Sequence, residues 1–279
     1  MSKMIAIDAG HGLNTSGRRC LANLDPEQHR EWWLNNRVAK YVIEELKAYE
    51  CETMRTDDVT GIKDVDLEER CYKANKAGAK AFVSIHHNAG INGGTGGGTV
   101  VYASRSASAA KKAWQKDMYD RMVKYNGLKG NRSNPLPLKN FVVIVETTMP
   151  ALLIECGFMD SKTDVPKILT DAFARQCAKG IAESLADYLQ LEKKVPQKEG
   201  VTPLTGFCEV VYKGEEGLEV HDTPDLEVAS RNREYGPVVE GEVFAVSGKT
   251  VSPCGTPMYQ LKSSGLYISA VEEFTKYRK

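Results

Sequence analysis

Three absences bound what this chain can be. No apolar run approaches the roughly 20 residues that cross a bilayer as a helix. Neither sign of charge is in excess, since Lys plus Arg and Asp plus Glu both number 37 and the formal net charge is zero. That balance removes the basic surplus expected of a nucleic-acid binder and gives no support to a polybasic membrane anchor. The seven cysteines are scattered, odd in number and contain no Cys-x-x-Cys. They do not form the paired framework of a small secreted domain, so free thiols in a reducing cytoplasm are expected. The first apolar stretch, Met4 to Ile7, is broken by Asp8. The sequence therefore predicts no secretory signal and synthesis in the cytoplasm.

What is present is enough hydrophobic material for a sizeable core. The chain has 279 residues, 42% of them hydrophobic, which suits one large domain or a medium one plus a small one. Residues 3–8 read as a buried strand. Residues 31–48 place Trp32, Val38, Val42, Ile43 and Leu46 at helical spacing. Residues 51–56 read as a strand, and 65–77 as a helix with Asp64 as N-cap and Gly78 as stop. Further strands are expected at 79–87, 99–103 and 150–155, and further helices at 106–125 and 173–191. The stretch Gly93–Gly98 reads as a flexible loop. It lacks the Lys-Ser/Thr and following helix of a phosphate cradle. No internal repeat is visible.

Strands alternating with helices predict an α/β fold: a mixed, mostly parallel sheet flanked by helices on both faces. The expected domain covers residues 1–191. Residues 192–204 are charged, contain two prolines and read as a linker. Short β-type runs with turn residues between them then predict a small all-β domain over 205–279.

Chemistry concentrates at two predicted strand ends. His11 lies in Asp8-Ala9-Gly10-His11-Gly12 and His86 in Ser84-Ile85-His86-His87-Asn88. In an open α/β sheet that edge is where ligands bind. Glu31 adds a carboxylate, and two imidazoles with one carboxylate suit a zinc ion that keeps a fourth position open for water. Other readings stand beside this one. His11 caps a helix from a loop, and Glu31, with Glu27 and His29, is one of several residues near a helix start, where acids are favoured by the dipole. Cys156 is either a nucleophile or a small apolar residue at a strand end. Asp8 caps the loop or orients a histidine. His87 points away from His86 and either lines a groove or sits at the surface. Asn88 contacts substrate or shapes the turn. Arg55 and Arg70 pair with carboxylates inside the fold. His29 and His221 are expected at the surface.

Over residues 3–190 the motifs fall in a recognisable order: Asp8-x-Gly10-His11-Gly12, Glu31-x-x-x-Asn35, Thr53-x-Arg55, Leu67-x-x-Arg70 with Ala74-Asn75, Ser84-Ile85-His86-x-Asn88-Ala89, Gly98-x-x-x-Tyr102, and Pro150 to Glu155 followed by x-Gly157-Phe158. In this the chain resembles the zinc-dependent N-acetylmuramoyl-L-alanine amidases, shared by bacterial autolysins and phage endolysins. The resemblance implies one zinc ion held by His11, Glu31 and His86, with Glu155 as general base and acid. The Asn35 spacing selects Glu31 among the nearby acids. The implied substrate is peptidoglycan, cut between N-acetylmuramic acid and L-alanine, and a phage endolysin is the favoured member. Ala9 and Leu13 depart from the usual proline and glycine, and Asn14–His29 is the least family-like segment. The second domain more faintly resembles bacterial Src-homology-3-like barrels that bind cell-wall polymers. There Tyr212, Tyr235, Tyr259 and Tyr267 form either an aromatic groove or part of the core. Two alternatives remain: a zinc peptidase cutting within the stem peptide, and a wall-binding protein with an inactive amidase domain.

Overall fold

Near-continuous apolar runs build the central strands of the first unit. The computed structural model describes residues 3–194, 201–226 and 230–279. The chain divides into two compact units, Met1–Lys193 and Lys194–Lys279. In the first, the strands are β1 (Lys3–Ala9), β2 (Cys51–Arg55), β3 (Ala81–Asn88), β4 (Val100–Tyr102) and β5 (Ala151–Phe158). They form a five-stranded sheet ordered β2-β1-β3-β5-β4. Strands β2, β1, β3 and β5 run parallel, and β4 pairs antiparallel with β5 at the edge. This is the mixed, mostly parallel sheet expected from the sequence.

Both faces of that sheet are covered because both sets of alternate residues are apolar. Ile5, Ile7, Val83, Ile85, Leu152 and Ile154 pack on one face under α1 (Glu31–Leu46), α3 (Ala109–Asn126) and α6 (Asp171–Leu189). Ala6, Phe82, Ala151 and Leu153 pack on the other, against α2 (Leu67–Lys76) and α4 (Val142–Val145). Two short helices, α4 and α5 (Val165–Ile168), carry too little periodicity to be read from sequence.

Helix starts shifted where cap chemistry overrides apolar spacing. Helix α3 begins at Ala109 because the Ser108 side chain accepts from the Lys111 N–H. Helix α6 begins at Asp171, after Thr170 caps Phe173 in the same way. Asp64 does not cap α2. The cap position is Asp66, with no side-chain cap bond, and Asp64 accepts from Thr15 and Arg70 instead. The glycine loop is bound rather than loose. Gly97 N–H donates to Asn131 and Gly98 N–H to Asp164. Just before it, one oxygen of Asp160 accepts from the N–H groups of Gly90, Ile91 and Asn92.

The second unit is all-β. Strands β6 (Thr202–Val210), β7 (Val220–His221), β8 (Val243–Val251), β9 (Pro257–Leu261), β10 (Tyr267–Ser269) and β11 (Thr275–Arg278) form a sheet ordered β11-β6-β8-β9-β10-β7. Its described pairings are antiparallel. Residues 195–200 of the expected linker lie outside the described residues, and β6 already begins at Thr202. The four tyrosines do not share one role. Tyr259 and Tyr267 are buried, Tyr212 packs edge-on against Phe274, and Tyr235 is exposed. His221 is not at the surface either. It is buried, with Nδ1 2.8 Å from the Ser230 hydroxyl. Among the described residues, no helix is long and apolar enough to cross a membrane.

Candidate metal centre and active site

A crossover helix explains why distant residues meet. Helix α1 links parallel strands β1 and β2, so it runs back against them and starts at their carboxyl ends. That puts Glu31, its first residue, beside the loops that leave β1 and β3. One ligand-type atom from each of His11, Glu31 and His86 lies within 4.8 Å of the other two. The carboxylate spans the histidines. Its Oε1 is 3.0 Å from His86 Nδ1 and its Oε2 is 3.4 Å from His11 Nε2. The two rings stand edge to face, 5.0 Å between centroids.

The backbone holds this cluster under constraint. His11 sits at φ +66°, a conformation few non-glycine residues adopt. Neither flanking glycine has a positive φ. Gly10 is required for space, since a Cβ there would come within 2.0 Å of the His86 ring. Gly12 would meet the Asp64 backbone at 3.0 Å.

Behind the histidines lies a buried polar chain. Arg70 is 1% exposed and donates through Nη1 to Asp8 and the Ala9 carbonyl, and through Nη2 to the His11 carbonyl. Its Nε donates to the Val65 carbonyl. Breaking a buried pair of this kind from one side costs about 3–5 kcal/mol. Asp8 also accepts from Thr56 and Ser84. Burial pushes its pKa up, but Arg70 and the hydroxyl donors outweigh burial and hold it below the usual carboxylate range. The Ser84 oxygen lies 3.1 Å from His86 Nε2. Asp8 thus orients His86 through Ser84, and does not reach the cluster itself. This leaves His86 Nδ1 for the Glu31 side. Sequence reasoning missed Ser84, although its place two residues before His86 on a strand puts both on one face.

His87 turns the other way, at an irregularity in the β3–β5 pairing. It neither lines a groove nor reaches the surface. It is 2% exposed, and its Nδ1 is 2.8 Å from the Asn35 amide oxygen. Asn35 in turn donates to the Gly10 carbonyl, and the His87 N–H donates to Glu31. His29 is half-buried against Asp25 and Trp33. Asn88 accepts from the Ala89 N–H and shapes the turn. Arg55 pairs with Asp57. Cys156 is fully buried beside Cys177, which pushes its pKa well up, together with burial. That suits packing and opposes a nucleophile.

Glu155 is the register partner of His86 across β3 and β5. Its Oε2 is enclosed and has no hydrogen-bond partner, as is Glu31 Oε2. Burial raises the Glu155 pKa to about 8, with Glu31 adding and His86, Arg18 and Lys139 opposing. Burial lowers the His11 pKa to about 4, so its ring is neutral at pH 7 and free to act as a ligand. For Glu31, burial raises the pKa, but the hydrogen bond and charge of His86 prevail and lower it. Two imidazoles, a carboxylate with an unpartnered buried oxygen, and an enclosed carboxyl nearby fit a divalent metal with an adjacent acid–base group. A groove of about 540 Å³ opens beside His11 and His86.

Comparison with known proteins points to one family. A family profile described as N-acetylmuramoyl-L-alanine amidase matches residues 5–187. The endolysin of Bacillus phage SPP1 is 33% identical over 295 aligned positions, covering 100% of both chains. The N-acetylmuramoyl-L-alanine amidase CwlM of Bacillus licheniformis is 34% identical over 68% of this chain and 70% of its own. The solved catalytic domain of CwlV, an N-acetylmuramoyl-L-alanine amidase from Bacillus (Paenibacillus) polymyxa var. colistinus, superposes with a TM-score of 0.60 at 30% identity. It covers 68% of this chain and 99% of that one.

Proposed function

Since the chain belongs to the N-acetylmuramoyl-L-alanine amidase family, we propose that it is a zinc-dependent, endolysin-type enzyme cutting the amide between the lactyl group of N-acetylmuramic acid and L-alanine. The observation that carries the metal is the convergence of His11, Glu31 and His86 within 4.8 Å at the sheet's carboxyl edge. The full-length match to a phage endolysin supports the lytic reading.

In this reading His11, Glu31 and His86 would hold the zinc ion. Bound there, zinc supplies a Lewis acid that polarises the scissile carbonyl and acidifies a water. Ser84, backed by Asp8 and Arg70, keeps the His86 ring aimed. Glu155 takes the proton from the attacking water on its unpartnered oxygen and passes it to the leaving amine of L-alanine. Its burial suits that task, because a carboxyl with a raised pKa holds a proton long enough to deliver it. A nearby cation pulls the same pKa down, which favours the ionised form that accepts the proton. Residues 205–279 would bind a cell-wall polymer.

Mass spectrometry of soluble products from purified peptidoglycan tests the reaction. Stem peptides with a free L-alanine amino terminus, alongside uncut glycan, are the expected products. Cleavage inside the stem would make the enzyme a peptidase instead. No product from any wall type would leave a binding role.

A further inference from the structure

The segment 14–29 carries a cation to the mouth of the metal cluster. The Arg18 carbonyl accepts from the Glu31 N–H at 3.0 Å, so its main chain is pinned to the start of α1. A bridge between Arg19 and Arg30 fixes the neighbouring residues. The Arg18 side chain is 50% exposed, and its ion pair is a long one, Nη1 to Glu31 Oε2 at 3.8 Å. Among the described residues its guanidinium makes no hydrogen bond. A planar fork of donors beside a reaction centre, pinned at its base and open at its tip, suits bidentate capture of a carboxylate.

The groove beside His11 and His86 has the opposite character. Asp64, Asp66 and Glu68 line it, its one arginine, Arg70, is paired with Asp8 and Asp64, and Arg18 lies outside it. The substrate in the proposed reaction is polar in the same sense. The lactyl carboxyl is consumed in the amide and the glycan is uncharged, so every free carboxylate belongs to the peptide. A carboxylate laid in the acidic groove would be repelled, whereas sugar hydroxyls can donate to its oxygens.

We propose that Arg18 binds a free carboxylate of the stem peptide and so sets the direction in which the substrate lies, peptide toward the 14–29 segment and glycan toward the Asp64–Glu68 groove. This rests on the amidase reading. Arg18 is a specificity residue here and takes no part in proton transfer.

The test uses the full-length zinc enzyme and two synthetic muramyl peptides. One carries its free carboxyl groups, and the other has all of them converted to carboxamides. The wild type should favour the acid by about tenfold in kcat/KM, expressed in KM, and the preference should shrink in high salt. Arg18→Gln should bring the acid-to-carboxamide ratio of kcat/KM to about one, whatever it does to the rate common to both peptides, and Arg18→Lys should restore part of the preference. A wild type indifferent to the two peptides overturns the proposal. So does an Arg18→Gln variant that keeps the wild-type ratio between the two peptides, since Arg18 would then only support Glu31. A wild type that cuts neither peptide fails the amidase reading itself, and this proposal with it.

Discussion

At the scale of single residues, Glu155 and His87 show how burial decides chemistry. Glu155 keeps one oxygen enclosed and unpartnered next to the strand that bears His86. An isosteric Glu155→Gln variant removes the titrating group and keeps the shape. It should retain one zinc per chain and lose about 10²- to 10⁴-fold in kcat, the usual size of general acid–base assistance. Metal analysis beside steady-state kinetics checks both halves. Loss of zinc would make Glu155 a ligand, and retained turnover would remove it from the reaction. His87 is buried among Glu31, Arg37 and His86, and burial lowers its pKa from 6.5 to about 3. The unfolded chain therefore binds this proton before the folded one does. Stability from His87 is complete above pH 6.5 and drains away as pH falls toward 3, amounting to about 2 kcal/mol by pH 5. Urea unfolding with chelator present should show this slope, and His87→Gln should flatten it. All three tryptophans, Trp32, Trp33 and Trp114, lie within residues 1–193, so their fluorescence reports on the relevant unit.

At the scale of elements, the site depends on how closely β1 and β3 deliver their carboxyl ends. Gly10 extends β1 toward the His86 ring, and its N–H donates to the Ile85 carbonyl. An added Cβ would overlap the ring at 2.0–2.5 Å, and His86 has no free direction because Ser84 and Glu31 hold both its nitrogens. Gly10→Ala should fold, with far-ultraviolet circular dichroism unchanged, yet bind zinc at least about tenfold more weakly. Wild-type affinity in a metal-competition titration would show that the ring can move aside. The same elements mark what the sequence made legible. Continuous apolar runs announced β1, β3 and β5, and glycine and histidine at their ends announced a site. Contacts between residues far apart stayed hidden. Asp160 gathers three backbone N–H groups from 90–92, and Arg70 reaches from α2 to the His11 carbonyl. No local spacing encodes either. His87 and His221 were misjudged for a related reason. A histidine's surroundings depend on its partners, Asn35 and Ser230, and those partners come from elsewhere in the fold.

At the scale of the whole molecule, the chemistry and the second core are separable. His11, Glu31, His86, Glu155 and Arg18 all belong to Met1–Lys193. Among the described residues, the two apolar clusters of that unit draw on none beyond Leu191, and the cluster of the second unit draws on none before Leu204. Each unit therefore closes its own core, and a chain ending at Lys193 should fold. Such a chain should hold zinc and cut a soluble muramyl peptide at a rate within about twofold of the full protein, because no substrate-facing group has been removed. Intact cell walls pose a different problem. There a second binding unit converts each cut into an encounter at high effective concentration, commonly a gain of 10²-fold or more. If residues 194–279 tether the enzyme, the shortened chain should lose at least about tenfold in wall solubilisation, measured by turbidity, while its soluble-substrate rate stands. Adding the second unit as a separate protein should then compete with the full chain for wall sites. Equal wall rates for the long and short chains would mean that residues 194–279 contribute no tether, and that all recognition of the wall lies around the His11, Glu31 and His86 cluster.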